Sequence, residues 1–420
     1  MSKDLGTIFN NDCNNILAAL DGERSSPGDY RRVVDALLEH RPGLLAQDVG
    51  QPDPVVFRSR VATPLSRYLV EIARQVWPDA PTDSAERQRD LLERMFREGT
   101  DPLQVTIEAC RAAGVRVVAS FRMNAEDWYG HTFRLSDFGR DHPEWRVLRP
   151  DGTPAGNLDP AVPQVCEHRL HLFAEVAAQY DVDGLELDFR RWYHMVSDPL
   201  RNHGVLTRMV RLTRALLDDA ARHKGRGRML LGARVGPSLD AEPNPFLFPG
   251  IFYPQKPVNA SCRELGLDVR TWIAEGLVDY LCPSLFLATL PGLPLTAEFV
   301  ELARDTAVGV YPTLWPLAAW MHGVGERRVD LADEDQRPLA LYKHDLCAAA
   351  LRMYADGADG ISTFNWYSHL RDARVPHLWT DGEGAAGSGA DAVQSYVYPL
   401  LRDAERLRHY LREPWAVPPG

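Results

Sequence analysis

The chain has very little lysine. Lys3, Lys224, Lys256 and Lys343 are the only four among 47 basic residues, and the formal net charge is −11. No basic cluster offsets that balance, so no nucleic-acid partner is expected. No apolar run approaches the length that spans a bilayer, so no membrane partner is expected either. No C-x-x-C pair occurs. Cys13, Cys110, Cys166, Cys262, Cys282 and Cys347 are scattered, which predicts reduced core thiols rather than a disulfide framework. The opening residues carry no apolar leader, and with the thiols this gives a cytoplasmic expectation. No G-x-G-x-x-G directly follows a strand-like run, which removes the dinucleotide fingerprint. The glycine-rich patch Gly382–Gly389 reads as a flexible loop.

The 420 residues are 45% hydrophobic and 25% charged, an ordinary globular composition. Strand-like and helix-like stretches alternate along them. Expected strands are Leu5–Asn10, Pro54–Arg58, Val115–Phe121, a central one ending near Phe189, Met229–Arg234, Val278–Cys282, Val308–Pro312 and Gly360–Thr363. Expected helices include Asp29–Leu45, Ser84–Arg97, Pro102–Ala113, Gln164–Gln179, Gly204–His223 and Ala390–Leu411. Eight βα units predict an α/β fold, a (β/α)8 TIM barrel with long loops on its C-terminal face. Residues 1–413 are expected to form a single barrel domain, and 414–420 a loose tail.

The stretch Tyr180-Asp-Val-Asp-Gly-Leu-Glu-Leu-Asp-Phe-Arg-Arg-Trp-Tyr193 organises the rest. Alternation sends Leu185, Leu187 and Phe189 one way and Gly184, Glu186 and Asp188 the other. In a barrel the second set faces inward, with Asp188 at the C-terminal mouth. Glu186, one layer deeper, reads as structural, with Arg122 or Arg234 to pair with it. Residues just past strand ends converge on one pocket. They comprise Asn10, Asn11, Asp12, Arg60, Arg122, Asn124, Asp188, Arg190, Arg234, Asn365 and Trp366, with Trp128, Trp192, Tyr193 and Trp315 alongside. Rings with carboxylates, amides and guanidinium groups between them suit a sugar. The same aromatic residues also serve as plain core in barrel mouths. The absence of H-x-H, of a strand-end Lys and of a Gly-rich phosphate cradle disfavours metal-dependent hydrolysis, Schiff-base chemistry and phosphorylated substrates. No cofactor and no metal are expected, and two-carboxylate glycoside chemistry remains.

Several of these segments carry a resemblance. They are Thr7-Ile-Phe-Asn-Asn-Asp12, Val115–Asn124, Asp181–Tyr193, Gly266–Ser284 and Gly360–Trp366. Together they resemble bacterial glycoside-hydrolase-like (β/α)8 proteins and, more distantly, amylase- and α-galactosidase-type barrels. The resemblance implies a glycosidase fold and a catalytic Asp188 at the end of the fourth strand. The chitinase pattern D-x-x-D-x-D-x-E is not kept: the register here is Asp183, Glu186, Asp188, Arg190, with Arg190 in place of the acid. A guanidinium stays charged and donates no proton in such a reaction. The general acid is therefore expected on a loop. Asp127 and Glu242 lead, ahead of Asp240 and Glu126, and Asp12 is a further acid near a strand end.

The expected function is a glycoside hydrolase acting on a small unphosphorylated glycoside or oligosaccharide. Two alternatives stand beside it. One is a non-catalytic carbohydrate-binding pseudoenzyme. The other is an interaction scaffold that forms a homo-oligomer through residues 237–262. That Pro-rich segment is expected to be either a lid or an interface.

Overall fold

In a computed structural model, which describes residues 3–12, 16–17, 20, 26–50, 54–76, 78–79, 81–124, 136–190, 195–240, 260–285, 293–315, 337–364, 366 and 397–412, strands and helices alternate as expected. The strands are β1 (Ile8–Asn11), β2 (Leu44–Gly50), β3 (Arg116–Arg122), β4 (Arg146–Leu148), β5 (Pro154–Leu158), β6 (Gly184–Asp188), β7 (Leu230–Val235), β8 (Tyr280–Pro283), β9 (Gly309–Val310), β10 (Thr313–Leu314) and β11 (Ser362–Phe364). Nine of them form one curled parallel sheet in the order β10-β11-β1-β2-β3-β6-β7-β8-β9. β4 and β5 make a separate antiparallel pair within the long connection after β3. The class is α/β.

The two outermost strands, β9 and β10, are separated only by Tyr311 and Pro312. This short segment bonds on both sides. Towards β8, Gly309 N donates to Asp279 O at 3.0 Å and Tyr311 N to Leu281 O at 2.8 Å. Towards β11, Ser362 N donates to Pro312 O and Asp359 N to Val310 O, both at 3.0 Å. Pro312 has no N–H to give, and its carbonyl is the group used.

Local chemistry sets most element ends. The helix Pro102–Ala113 starts with Pro at its first position, and the Asp101 side chain accepts from Gln104 N at 2.8 Å. It stops at Gly114, whose φ of 68° is the left-handed conformation that glycine adopts without strain. Three expectations need correction. The helix expected over Asp29–Leu45 is Pro27–Glu39, and the second strand is Leu44–Gly50, not Pro54–Arg58. Arg41-Pro-Gly43 breaks the helix, and Leu44 and Leu45 continue its apolar pattern by coincidence. Within Pro54–Arg58 only Val55 makes bridge contacts, isolated ones to Gly50 and Pro64. The helix expected over Ala390–Leu411 is, among the described residues, a 3-10 turn Tyr398–Arg402 with Pro399 in its first turn, followed after the extended Asp403 by Ala404–Arg412.

The sheet is buried on both faces. The larger core lies between sheet and helices and holds Phe9, Leu45, Val117, Leu185, Leu187 and Leu231. The concave face carries a smaller apolar set of Leu5, Ile8, Leu44, Ala46, Val118, Tyr280, Cys282 and Tyr311. That set lies mostly toward the N-terminal halves of the strands, and polar side chains take over toward the C-terminal ends.

Close packing on this face requires Gly232. A Cβ there would lie 2.0 Å from the Tyr280 ring. Overpacking of this kind costs about 1–3 kcal/mol. Gly232→Ala is expected to lower unfolding free energy by about that amount in urea titration, whereas Gly204→Ala, on an open helix face with nothing within 4 Å of its Cβ, leaves it unchanged or raised.

Candidate active site

Alternation along four neighbouring strands brings charged and polar groups to one face. β2 offers Asp48, β3 offers Ser120 and Arg122, β6 offers Glu186 and Asp188, and β7 offers Arg234. Register aligns Asp48 with Ser120, Arg122 with Asp188, and Asp188 with Arg234. All are buried.

At the centre is an ion pair. Arg234 Nη1 donates to Asp188 Oδ2 at 2.8 Å, and each side chain is only 1% exposed. Arg190 N donates to Asp188 Oδ1 at 2.9 Å. The Arg234 guanidinium lies 3.5 Å from the centre of the Phe364 ring, a cation–π contact, and its Nε donates to Ser284 Oγ at 3.2 Å. Beside this pair, Arg122 joins two acids. Its Nη2 meets Asp12 Oδ2 at 2.7 Å and its Nε meets Asp48 Oδ2 at 2.8 Å. Gly50 N donates to the other Asp48 oxygen at 2.7 Å. One layer deeper, Glu186 Oε1 accepts from Asn10 Nδ2 and Ser120 Oγ, both at 2.9 Å, and Oε2 accepts from the Tyr280 hydroxyl at 3.0 Å.

Among the described residues four carboxyls (Asp12, Asp48, Glu186, Asp188) face three guanidinium groups (Arg122, Arg190, Arg234). A buried excess carboxyl favours its protonated form. Burial, reinforced by Asp188, pushes Glu186 up to about 7. Burial also pushes Asp48 up to about 6; Arg122 opposes this, while Asp12 and Asp188 add to it. Burial alone would weaken the hold of Arg122 on its proton, but Asp12, Asp48 and Asp188 together outweigh it and raise the value. Burial, helped by the neighbouring Arg234 charge, lowers Arg190 to about 9, still cationic at neutral pH.

The expected site residues fall into three groups. Asp12, Arg122, Asp188, Arg190 and Arg234 come together in this network, and Trp315 adjoins it, its ring 4.7 Å from that of Phe364. Asn124 is buried just past the end of β3. Asn11, Arg60, Trp366 and Asp240 lie apart. Asn11 points to the opposite face from Asn10 and donates to Gln47 Oε1, which also takes the Thr106 hydroxyl. Arg60 is exposed, and its N–H bonds Glu175, because the strand expected before it is elsewhere. Trp366 packs on Tyr398 in the larger core. Asp240 forms a surface pair with Arg270. Glu126, Asp127, Trp128, Trp192, Tyr193, Glu242 and Asn365 lie outside the described residues. The expected pairing of Glu186 with Arg122 or Arg234 is replaced by neutral donors, and Arg234 pairs with Asp188 instead.

Sequence reasoning missed Asp48, Tyr280, Ser284 and Phe364. For Asp48 a signal existed: Pro42-Gly43 followed by Leu-Leu-Ala-Gln-Asp-Val-Gly50 reads as a breaker and then a buried strand. Among the described residues no three His, Cys, Asp or Glu side chains converge as metal ligands.

Residues 67–200 match the family glycosyl hydrolase-like 10. The expected likeness to glycoside-hydrolase-like proteins thus holds over a segment that contains Arg122, Asp188 and Arg190. No curated protein matches the chain in sequence. Among solved structures, the catalytic domain of β-amylase from Paenibacillus polymyxa is similar at 10% identity and a TM-score of 0.47, covering 94% of this chain and 98% of that one. The PgaB (BpsB) glycoside hydrolase domain from Bordetella bronchiseptica is similar at 11% identity and a TM-score of 0.46, covering 88% and 96%. α-L-Fucosidase isoenzyme 2 from Paenibacillus thiaminolyticus is similar at 13% identity and a TM-score of 0.45; the match takes in 98% of this chain but spans only 50% of the fucosidase chain. Among the described residues no helix is long and apolar enough to cross a membrane.

The proton on Glu186 has a measurable consequence. A carboxyl raised from 4.5 to about 7 keeps its proton in the folded state after the unfolded chain has lost it. Stability therefore falls as pH rises between those two values, by about 3 kcal/mol in total for this group. Glu186→Gln retains an acceptor for Asn10 and Ser120 and removes the titration. Urea unfolding of variant and wild type at pH values near the two ends of that window is expected to show a flatter pH dependence in the variant.

Proposed function

We propose that the chain is a glycosidase acting on a small unphosphorylated glycoside or oligosaccharide, built on a single (β/α)8 barrel over residues 1–413. Support for a closed barrel comes from the 309–314 segment, which bonds to both β8 and β11 and so serves as one strand in two pieces. The observation that carries the functional reading is the placement of Asp188. It ends β6 on the concave face, in a buried network with two further aspartates, where parallel barrels hold catalytic groups. Asp188 acts as nucleophile or as the base that activates water, and a second carboxyl protonates the leaving oxygen. Arg234 and the Arg190 N–H hold the Asp188 carboxylate in one orientation, and Arg122 orients the acids beside it.

One observation favours a second reading, a carbohydrate-binding protein without turnover. Both Asp188 oxygens are already engaged by donors of the same chain, and the side chain is buried.

An aryl-glycoside panel separates the two. Under the glycosidase reading wild type turns over at least one member, and Asp188→Asn lowers kcat/KM by about 10³-fold or more while circular dichroism stays native. Binding in calorimetry with no turnover by wild type would establish the second reading. Near-normal turnover by a folded Asn variant would remove Asp188 from the chemistry.

A further inference from the structure

Resting on the glycosidase reading, we propose that Asp48 is the proton donor of this site, working with Asp188 as base across Arg122 in an inverting hydrolysis. Asp48 stands at the C-terminal end of β2, on the face that carries Ser120, Arg122 and Asp188. Two carboxyls, Asp12 and Asp48, share the single Arg122 guanidinium at 2.7 and 2.8 Å. Buried carboxyls this close disfavour each other's charged forms, and a proton on one of them resolves this at lower cost than a further buried anion. The upward shift of Asp48 to about 6 agrees with this.

The other acids are less well placed. Glu186 also holds a proton, but it lies two residues below Asp188 on the same strand, and its donors Asn10, Ser120 and Tyr280 are neutral, whereas Asp48 has the Arg122 guanidinium to stabilise its anion. Asp240 is at the surface, paired with Arg270. Spacing favours Asp48 as the partner of Asp188. β3 runs between β2 and β6, so two interstrand spacings of about 4.8 Å each separate the two backbones laterally. That suits the roughly 6.5–9.5 Å between carboxyls of inverting enzymes, which leaves room for a water, and not the ~5 Å of retaining ones.

The Asp48 carboxyl gives its proton to the glycosidic oxygen. The bond from that oxygen to the anomeric carbon breaks, and the electron pair leaves with the oxygen as an alcohol. Asp188 takes a proton from water, whose oxygen bonds the anomeric carbon from the opposite side. Asp48 is then a carboxylate and Asp188 a carboxylic acid, and solvent exchange restores both. Arg122 carries no proton in this scheme; it positions Asp48 and stabilises it once it is charged.

The experiment uses the full chain and an aryl-glycoside substrate found by the panel. Product anomer is read by proton NMR in the first turnovers, and inversion is expected. The kcat/KM profile of wild type is expected to fall as pH rises above about 6, because the donor loses its proton. In Asp48→Asn that basic limb disappears. The variant keeps activity within about tenfold on a dinitrophenyl glycoside, whose leaving group needs no proton, and loses about 10²–10⁴-fold on a methylphenyl glycoside. Asp48→Glu, which preserves charge and can carry the proton, restores part of that loss if the Asn variant folds poorly. Retention of configuration overturns the proposal, as does equal treatment of both leaving groups by Asp48→Asn. So does the leaving-group signature appearing in Asp127→Asn or Glu242→Gln instead. A wild type inactive on every glycoside overturns the glycosidase reading itself, and this inference with it; an active wild type with an indifferent Asp48 variant overturns only the inference.

Discussion

The ion pair between Asp188 and Arg234 sets the terms for everything around it. Two opposite charges removed from water are tolerated only when geometry is good and the remaining donors and acceptors are met. Here each requirement is answered by a different strand. The Arg190 amide just past β6 takes the second Asp188 oxygen, Ser284 past β8 accepts from Arg234 Nε, and the Phe364 ring from β11 lies against the guanidinium plane. Loss of either partner would leave a buried charge uncompensated, a cost of several kcal/mol. The pair thus ties β6, β7, β8 and β11 to one arrangement.

The concave face sorts chemistry by depth. Toward the N-terminal halves of the strands it is filled by Ile8, Leu44, Ala46 and Val118, together with the Tyr280 and Tyr311 rings. Glu186 forms the boundary, held by an amide, a hydroxyl and a phenol. Above it stand the aspartates and arginines. Neutral donors hold Glu186, so no full charge is needed on the boundary layer. The layer above keeps the ionic groups, where a polar substrate can meet them.

Much of this was legible in the sequence, and the failures have identifiable causes. The alternation Gly184, Glu186, Asp188 against Leu185, Leu187, Phe189 needs only strand geometry, and the structure keeps it. Arg122 and Arg234 follow from the same parity on their strands. Asp48 was missed because Leu44 and Leu45 prolong the helical apolar pattern of Pro27–Glu39 and outweighed the Pro42-Gly43 break, so the strand that bears it was placed about ten residues too late. Arg60 entered the site through the same displacement. The adjacent Asn10 and Asn11 show another limit. Only one of two neighbours on a strand can face inward, and the point at which the strand stops decides whether both remain on it. Trp366 lies past the last residue of β11, where strand parity no longer constrains direction, and the surrounding apolar residues draw its ring into the larger core.

The position of β1 bears on how the molecule is assembled. β1 lies between β2 and β11, so its ladder joins residues near the start of the chain to Ser362–Phe364. Asn10 reaches Glu186 across 176 positions, and Asp12 reaches Arg122 across 110. Contacts this distant in sequence close late, because loop entropy is lost before they return any stabilisation. The Asn10 and Asp12 contacts are therefore expected to join the network after its other members. An intermediate holding β2, β3, β6 and β7 would already contain the Asp188–Arg234 pair, but Arg122 would lack its Asp12 partner, and Glu186 would lack its amide donor. The charge arrangement of the finished site is a property of the complete sheet, acquired when its earliest strand is enclosed.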